Sequence, residues 1–248
     1  MFLLNIYYNY DNRIKRKENL IYMGSIFTLS ELKSPKNLNI FTDASIKSYR
    51  PKDYIGCFGA IAVTGDSIIE KSYNVTGRTT NNNSEIKAIR SGIELAIKHG
   101  SGKRINLFSD SQICIFGLRE RIMNWKLRNG NYYGSVGAIA NQEVFSEIVD
   151  IILQYQLQIN FFHQSGHVPF TGEGLKAASH VFHTSNNIRG MVDMNVIRYI
   201  SSYNNLVDVE SRNMLHNLFT CKIVDGISFT PHPFDVDAYR KLVSLQLQ

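Results

Sequence analysis

Residues 38–45 read LNIFTDAS, a β-rich run that ends in a polar turn, and residues 104–112 read RINLFSDSQ, which repeats this arrangement. In each run an aspartate, Asp43 or Asp110, follows a phenylalanine and a hydroxyl residue where the predicted strand ends. A single aspartate in this position is often a turn residue or a helix cap. Two of them with nearly identical neighbours predict a shared site at one edge of a sheet, where α/β folds bind ligands.

The rest of the chain predicts one core, built from a mixed sheet with helices on its faces. Residues 57–63 and 67–75 are separated by a short turn, so the sheet is expected to begin with antiparallel strands. Isoleucines at steps of three and four between Asn82 and Lys98 predict an amphipathic helix. The predicted fold class is therefore α/β, in a mixed α+β arrangement. The expected strands are 38–45, 57–63, 67–75, 104–110 and 157–163, and the expected helices are 82–98, 111–124, 141–155 and one that begins near Val207.

The sequence assigns no role to three segments, which are an N-terminal appendage, an insertion within the main domain and a C-terminal tail. Residues 1–36 are expected to form an N-terminal appendage, which contains the basic cluster RIKRK at 13–17. Residues 37–222 are expected to form the main domain, with an irregular insertion at about 168–203 that includes a short helix near 192–203. Residues 223–248 are expected to be a C-terminal tail.

The composition is that of a globular protein with a modest positive charge. The 248 residues include 27 Lys and Arg against 21 Asp and Glu, a net charge of +6 that is compatible with a polyanionic partner. No apolar run has the length of a membrane span, the N-terminal residues lack a signal-peptide pattern, and the three cysteines are widely separated. We therefore expect a cytoplasmic protein without a membrane partner. Frequent Asn, Ile and Lys residues are typical of an AT-rich genome, such as that of a virus or a phage.

Residues 79–89, TTNNNSEIKAI, place Glu85 at the start of the predicted helix. One interpretation is a capping box, in which Asn82 caps the helix and Glu85 bonds back to it. The other is that Glu85 joins Asp43 and Asp110 in one site. Three converging carboxylates repel one another and raise at least one pKa unless a cation neutralises them, and hard oxygen ligands favour Mg²⁺ or Mn²⁺. Two such ions about 4 Å apart can activate water and neutralise the leaving oxygen of a phosphodiester, so the predicted chemistry is phosphodiester hydrolysis.

FTDAS, TTNNNSEIKAI and FSDSQ, in this order, resemble the motifs of type 1 ribonuclease H, and the resemblance extends over roughly Asn39 to Leu218. It includes MNWKLRNG at 123–130, similar to the start of the basic protrusion of the bacterial-type enzymes, and NQEVFSEI at 141–148, similar to the helix that follows. It also includes NFFHQSGH at 160–167, similar to a strand and its histidine loop, and NNLVDVESR at 204–212, similar to the last catalytic segment. The resemblance implies a ribonuclease H-like fold, a five-stranded mixed sheet flanked by helices.

The resemblance also implies an endonuclease that hydrolyses the RNA strand of RNA/DNA hybrids and leaves 5′-phosphate and 3′-hydroxyl ends. The implied cofactor is Mg²⁺, as two ions with Mn²⁺ as a substitute, and the implied partner is the hybrid; we expect a monomer. The implied metal-binding catalytic residues are Asp43, Glu85, Asp110 and Asp208, and His167 would assist proton transfer or product release. The implied substrate-binding residues are Thr80, on a phosphate of the DNA strand, Asn81, Asn82 and Gln112, beside ribose 2′-hydroxyls, and Lys126 and Arg128.

The family pattern is not matched everywhere. The family usually has Gly after the first Asp, where this chain has Ala44. The segment between His167 and Asp208 is much longer than in the family, and it contains a competing aspartate, Asp193. Asp208 has Asn204 four residues before it and a small residue three residues after it, as the family motif does, whereas Asp193 has an Arg and a Val in those positions. The motif therefore favours Asp208 as the fourth metal ligand.

Two other functions are compatible with the same residues. A DNA-directed nuclease of the same superfamily, such as a resolvase-like relative, is disfavoured by Asn81, Asn82 and Gln112, because DNA has no 2′-hydroxyl for these amides to contact. A non-catalytic module that binds hybrids is disfavoured because all four acidic positions can be assigned.

Overall fold

The computed structural model describes residues 28–50, 53–122, 125–128, 131–135, 137–188, 190 and 192–220, and two short strands at 223–224 and 227–228. The basic cluster at 13–17 and most of the expected tail lie outside these residues, as do the side chains of Lys126 and Arg128. Within the described part of the chain, no helix combines the length and the apolar character that a membrane span requires.

A five-stranded mixed sheet forms the centre of the protein. Five of the nine strands in the described part of the chain form this sheet. The nine strands are β1 (Asn37–Arg50), β2 (Asp53–Thr64), β3 (Ser67–Thr76), β4 (Arg104–Ser109), β5 (Lys126–Arg128), β6 (Asn131–Tyr133), β7 (Ile159–His163), β8 (Ile223–Val224) and β9 (Ile227–Ser228). The central sheet has the order β3-β2-β1-β4-β7, while β5 pairs with β6 and β8 with β9. β1 pairs antiparallel with β2 and parallel with β4, which pairs parallel with β7. The predicted fold class and the five-stranded mixed sheet are confirmed.

Helices cover both faces of this sheet. They are α1 (Leu29–Leu32), α2 (Asn81–His99), α3 (Gln112–Phe116), α4 (Gln142–Gln154), α5 (Gly172–Ser185) and α6 (Met194–Thr220). A π-helical turn, Gly117–Arg121, continues α3, so the helix expected over 111–124 is shorter and irregular. Thr28 caps α1, and Leu32 of that helix is buried in the core beside α6.

Side chains of the central strands alternate between two apolar layers, as the period of a strand requires. Ile40 and Leu107 pack on one face with α2 and α4. Phe41 and Phe108 pack on the other face with α5 and α6, and their rings stack with centroids 5.0 Å apart. Phe108 also stacks on Phe162 of β7, at 5.1 Å, so aromatic rings join the three parallel-paired strands. Both faces are therefore buried, which makes these strands a rigid support for the residues that follow them.

The secondary structure expected for residues 168–220 is correct in part, since helix is found near 192–203 and after Val207, but the expected irregular segment and the break between the two helices are wrong. The segment expected as an irregular insertion contains α5, whose Leu175, Ala178 and Phe182 are buried in the core. The short helix expected near 192–203 and the helix expected to begin near Val207 are one continuous helix, α6, which begins at Met194. The apolar spacing in α5 is helical, and packing of that face against β7 and α6 stabilises it despite its two glycines.

Candidate active site

Asp43 and Asp110 emerge side by side from the two central strands. The parallel pairing of β1 with β4 ends at Thr42 and Ser109, and the two aspartates are the next residues along each strand. β4 ends there, but β1 continues to Arg50 and pairs Asp43 with Gly59 of β2. The expectation that Asp43 ends its strand is therefore wrong, although the expectation that both acids meet at one edge of the β1/β4 pair holds.

Glu85 reaches the same place from the start of α2. The helix begins at Asn81 with Thr80 as its N-cap, and the Thr80 hydroxyl accepts a hydrogen bond from the Asn83 backbone over 3.2 Å. The capping-box interpretation of Asn82 and Glu85 is consequently wrong, because Glu85 lies inside the helix. Its carboxylate is buried, and its Oε2 has no hydrogen-bond partner among the described residues.

Close packing of α2 on the sheet fixes the position of Glu85. A methyl group at Gly92 would lie 2.8 Å from Cγ2 of Thr42 and 2.9 Å from Cγ2 of Ile40. Only a glycine at position 92 therefore allows the helix backbone to approach β1 this closely. One oxygen from each of Asp43, Glu85 and Asp110 lies within 4.8 Å of the others. Three carboxylates from three different elements thus share one small volume.

Burial and mutual repulsion raise the pKa of all three carboxylates. Burial, with the charges of Asp110 and Asp208, raises the pKa of Asp43 to about 8. Burial and the three neighbouring aspartates raise the pKa of Glu85 well above its ordinary value. Burial also raises the pKa of Asp110, against the opposing effect of His167. The metal-free site therefore holds protons that a divalent cation would displace.

The carboxylate of Asp208, from the middle of α6, lies next to this group. It is 6% exposed, it lies 3.2 Å from Nδ1 of His167, and it accepts a hydrogen bond from the guanidinium of Arg212. Its charge raises the pKa of Asp43, Glu85 and Asp110. The competing Asp193 is exposed, and its Oδ1 accepts from the backbone of Asn195 at the start of α6. The fold thus brings Asp208, and not Asp193, to the three carboxylates.

A buried pair of amides holds α6 against the ends of the strands. Nε2 of Gln164 donates to Oδ1 of Asn204 over 2.6 Å, and both side chains are almost completely buried. The backbone of Gln164 also donates to the carbonyl of Ser109, the last residue of β4. Because Asn204 lies one helical turn before Asp208, this pair sets the depth of Asp208. The sequence interpretation missed Gln164 and Arg212, although a glutamine at the end of an apolar strand is a signal for a buried polar contact.

The loop that carries His167 lies directly on Asp110. A methyl group at Gly166 would overlap Oδ2 of Asp110, so only glycine allows this contact. His167 itself has a φ of 49°, which is unusual for a residue with a side chain. Its imidazole is 70% exposed, and its Nδ1 contacts the carboxylate of Asp208. The loop therefore presents the histidine to solvent at the margin of the carboxylate group.

The expected substrate-binding residues lie on adjoining elements. Asn81 and Asn82 are exposed in the first turn of α2, and Gln112 is exposed at the start of α3. Sγ of Cys114 in α3 donates to the Asn82 carbonyl over 3.8 Å, which places the two helix starts together. Thr80 is also exposed, although its hydroxyl already caps α2. Lys126 and Arg128 lie in β5, and only their backbone is described.

The residues present fit a hard divalent cation. Their oxygens converge, their pKa values are raised, and one buried oxygen of Glu85 has no hydrogen-bond partner in the described part of the chain. Mg²⁺ and Mn²⁺ bind to carboxylate oxygens of this kind, whereas zinc sites usually include histidine or cysteine.

Comparison with known proteins places the chain in a family. The model of the RNase H family matches residues 35–177, more than half of the chain. This segment includes Asp43, Glu85, Asp110 and His167, and it ends before Asp208. No curated protein sequence is a significant match.

Similar solved structures include LC11-RNase H1 in complex with an RNA/DNA hybrid, with 18% identity and a TM-score of 0.40 over 52% of this chain and 85% of that chain. RNase H1 from the halophilic archaeon Halobacterium salinarum has 20% identity and a TM-score of 0.38 over 52% of this chain and 86% of that chain. The PFV RNase H domain has 18% identity and a TM-score of 0.45 over 60% of this chain and 94% of that chain. On the strength of the match over residues 35–177, the chain belongs to the RNase H family.

Proposed function

We propose that the protein is a metal-dependent endonuclease that hydrolyses the RNA strand of an RNA/DNA hybrid and leaves 5′-phosphate and 3′-hydroxyl ends. The observation that carries this proposal is the buried group of Asp43, Glu85 and Asp110, whose oxygens lie within 4.8 Å of one another. Membership of the RNase H family supports the same activity.

Asp43, Glu85 and Asp110, completed by Asp208, would hold two Mg²⁺ ions, for which Mn²⁺ would substitute. When bound, the ions supply Lewis acidity, which lowers the pKa of a water and neutralises charge on the phosphate. The protein's contribution is rigidity. The paired strands β1 and β4 hold two of the acids, and α2 and α6 hold the other two.

His167 would transfer a proton or assist product release. Its ring is exposed enough to reach a bound nucleotide, and the contact of Nδ1 with Asp208 orients the ring. The left-handed backbone of His167, next to Gly166, keeps the ring at this margin of the site.

Recognition of RNA would come from the exposed amides of Asn81, Asn82 and Gln112. An amide side chain can both donate to and accept from a ribose 2′-hydroxyl, the group that distinguishes RNA from DNA at a given position. Asn81 and Asn82 lie in the first turn of α2, the helix that carries Glu85, and the contact of Cys114 with Asn82 brings the start of α3, with Gln112, beside them. A strand read by these residues would pass over the carboxylates.

The test is cleavage of an end-labelled RNA/DNA hybrid, beside the matching RNA duplex and DNA duplex. Each substrate is incubated with the native protein in Mg²⁺, in Mn²⁺ and in EDTA, and with the Asp110→Asn protein in Mg²⁺. Metal-dependent cleavage of the RNA strand in the hybrid alone, lost in the variant, is the expected result. Cleavage of the DNA duplex would favour a resolvase-like enzyme, and metal-independent binding of the hybrid without cleavage would mean a binding module.

A further inference from the structure

A cleft of about 540 Å³ opens beside Asp208, and Asp43, Glu85 and Asp110 do not line it. One wall is the part of β1 that follows Asp43, from Ala44 to Lys47, and the opposite wall is the face of α6 from Asp208 to His216. Asn81 and His167 also line the cleft. The cleft is therefore continuous with the candidate active site along both of its walls.

Four of the ten residues that line the cleft have basic side chains, which can attract an anion. Lys47 and Arg212 carry full positive charges, and His167 and His216 add ring nitrogens that can donate hydrogen bonds. The carboxylate that lines it, Asp208, already accepts a hydrogen bond from Arg212 and contacts His167. A cationic groove of this kind tracks the backbone of a nucleic acid strand, because phosphates contribute most of the electrostatic attraction.

Arg212 connects the cleft to the metal-binding group. Its guanidinium donates to Oδ2 of Asp208, its side chain is 55% exposed, and its charge lowers the pKa of Asp43. A divalent cation that binds the oxygens of Asp208 competes with Arg212 for the same carboxylate. The released guanidinium would remain in the cleft, where its planar donors match two oxygens of a phosphate.

We propose that this cleft binds the sugar-phosphate backbone of the RNA strand next to the cut, with Lys47 and Arg212 on phosphate oxygens. Arg212 contacts Asp208 in the metal-free protein and contacts the RNA phosphate when the carboxylates hold metal. Asn81 lines the same cleft, so a ribose that it contacts lies next to the phosphates that Lys47 and Arg212 bind. The proposal rests on the proposed function, because it takes the RNA strand as the occupant.

The test uses protein that retains all four carboxylates, with Ca²⁺ in place of Mg²⁺, because Ca²⁺ binds the same oxygens in a looser geometry. Gel electrophoresis checks that the hybrid stays intact, and anisotropy measures binding of a fluorescein-labelled RNA/DNA hybrid over a series of salt concentrations. Lys47→Ala, Arg212→Ala and the double variant are compared with Arg198→Ala. Arg198 is the matched control, because it is an exposed arginine of α6 that does not line the cleft. Circular dichroism of each variant checks that the fold is retained.

The expected result is that each substitution in the cleft weakens binding and reduces the slope of log K against log salt by about one, and that the double variant loses about twice as much. Arg198→Ala should keep the parent affinity and slope. A double variant with the parent affinity and slope would overturn the proposal, as would losses matched by Arg198→Ala. Cleavage by the native protein is measured beside these data. Failure to cleave the hybrid, with the binding losses present, would reject the proposed function and leave the cleft as a nucleic acid site.

A second readout tests the change of partner by Arg212. Mg²⁺ binding to the same protein is measured by calorimetry without nucleic acid. Arg212→Ala should bind Mg²⁺ more tightly than the native protein, because the competing cation on Asp208 is gone, and Arg198→Ala should not. Equal or weaker Mg²⁺ binding by Arg212→Ala would overturn this part of the proposal.

Discussion

Gln164 donates a hydrogen bond to Asn204 over 2.6 Å, and this contact joins the end of β7 to the face of α6 that carries Asp208. Both side chains are almost completely buried. A buried amide without its partner costs free energy, so the pair acts as a single unit. The position of the fourth carboxylate therefore depends on a contact that lies outside the carboxylate group.

Removal of either amide should destabilise the protein and reduce catalysis. Gln164→Ala and Asn204→Ala should each lower the free energy of unfolding by about 1–3 kcal/mol, because each leaves the other amide unpaired. The double variant should lose less than the sum of the two. Urea unfolding and the rate of hybrid cleavage measure both effects in all three variants. Strictly additive losses would show that the two side chains act independently.

The stability of the metal-free protein should depend on pH through Asp43. Its pKa is raised from 3.8 to about 8, so between these values the folded protein binds more protons than the unfolded chain does. This contribution to stability is complete below the ordinary pKa and is lost as the pH rises toward about 8. In EDTA, the Tm of the native protein should therefore fall from about pH 5 to about pH 8 more steeply than that of Asp43→Asn.

Mg²⁺ provides the second half of this experiment. Because protons compete with the cation for the same oxygens, added Mg²⁺ should raise the Tm more at about pH 8 than at about pH 5. Calorimetric scans of both proteins, with and without Mg²⁺, measure the difference. A metal-free native protein whose Tm responds to pH as Asp43→Asn does would contradict the raised pKa of Asp43.

A side chain at Gly166 should disturb the site, because it must displace a neighbouring group. A methyl group there would overlap Oδ2 of Asp110, so Gly166→Ala must displace either the histidine loop or the carboxylate. We expect hybrid cleavage to fall by about a hundredfold, the size of effect that misplaced catalytic groups produce. Gly172→Ala is the matched control, since the corresponding space at the start of α5 is open, and it should leave cleavage unchanged. Equal cleavage by the two variants would show that the loop does not need its contact with Asp110.

The sequence predicted the sheet and α2 well, because their patterns are set by burial. Phe41 and Asp43 share one face of β1, and the repeated pattern at Phe108 and Asp110 places the same side chains on its neighbour. The sequence therefore predicted the shared edge of the two aspartates, whereas the parallel register of β1 and β4 comes from the structure. What the sequence could not show is that β1 continues as far as Arg50, since most of the residues after Asp43 that pair with β2 are polar: Ser45, Lys47, Ser48 and Arg50.

The sequence predicted two helices where the structure has the single helix α6, because the face of α6 that lines the site is polar. Its inward residues include Ser201, Asn204, Asp208 and Ser211, which are buried although they are polar. Their spacing is helical, but a search for apolar periodicity does not detect a polar face. The rule of apolar periodicity fails where the buried face of a helix carries the polar residues of a site. Its failure in α6 agrees with the role of this helix in bringing Asp208 to the carboxylate group.

The carboxylates of the site were predicted by their motifs, whereas the contacts that hold them were not. Asp43, Glu85 and Asp110 meet as expected. Arg212 and Gln164 act through positions that only the folded chain defines, because each contacts a residue of α6 whose depth in the site depends on packing.

The identity of the fourth carboxylate is the most direct test of the proposed site, because the match to the RNase H family ends at residue 177, before both candidates. Single-turnover cleavage of an RNA/DNA hybrid in Mg²⁺ compares the native protein with Asp208→Asn and Asp193→Asn. Asp208 lies beside the three carboxylates and Asp193 is exposed at the start of α6, so only Asp208→Asn should abolish cleavage. Native-like cleavage by Asp208→Asn, or loss of cleavage in Asp193→Asn alone, would contradict the site described.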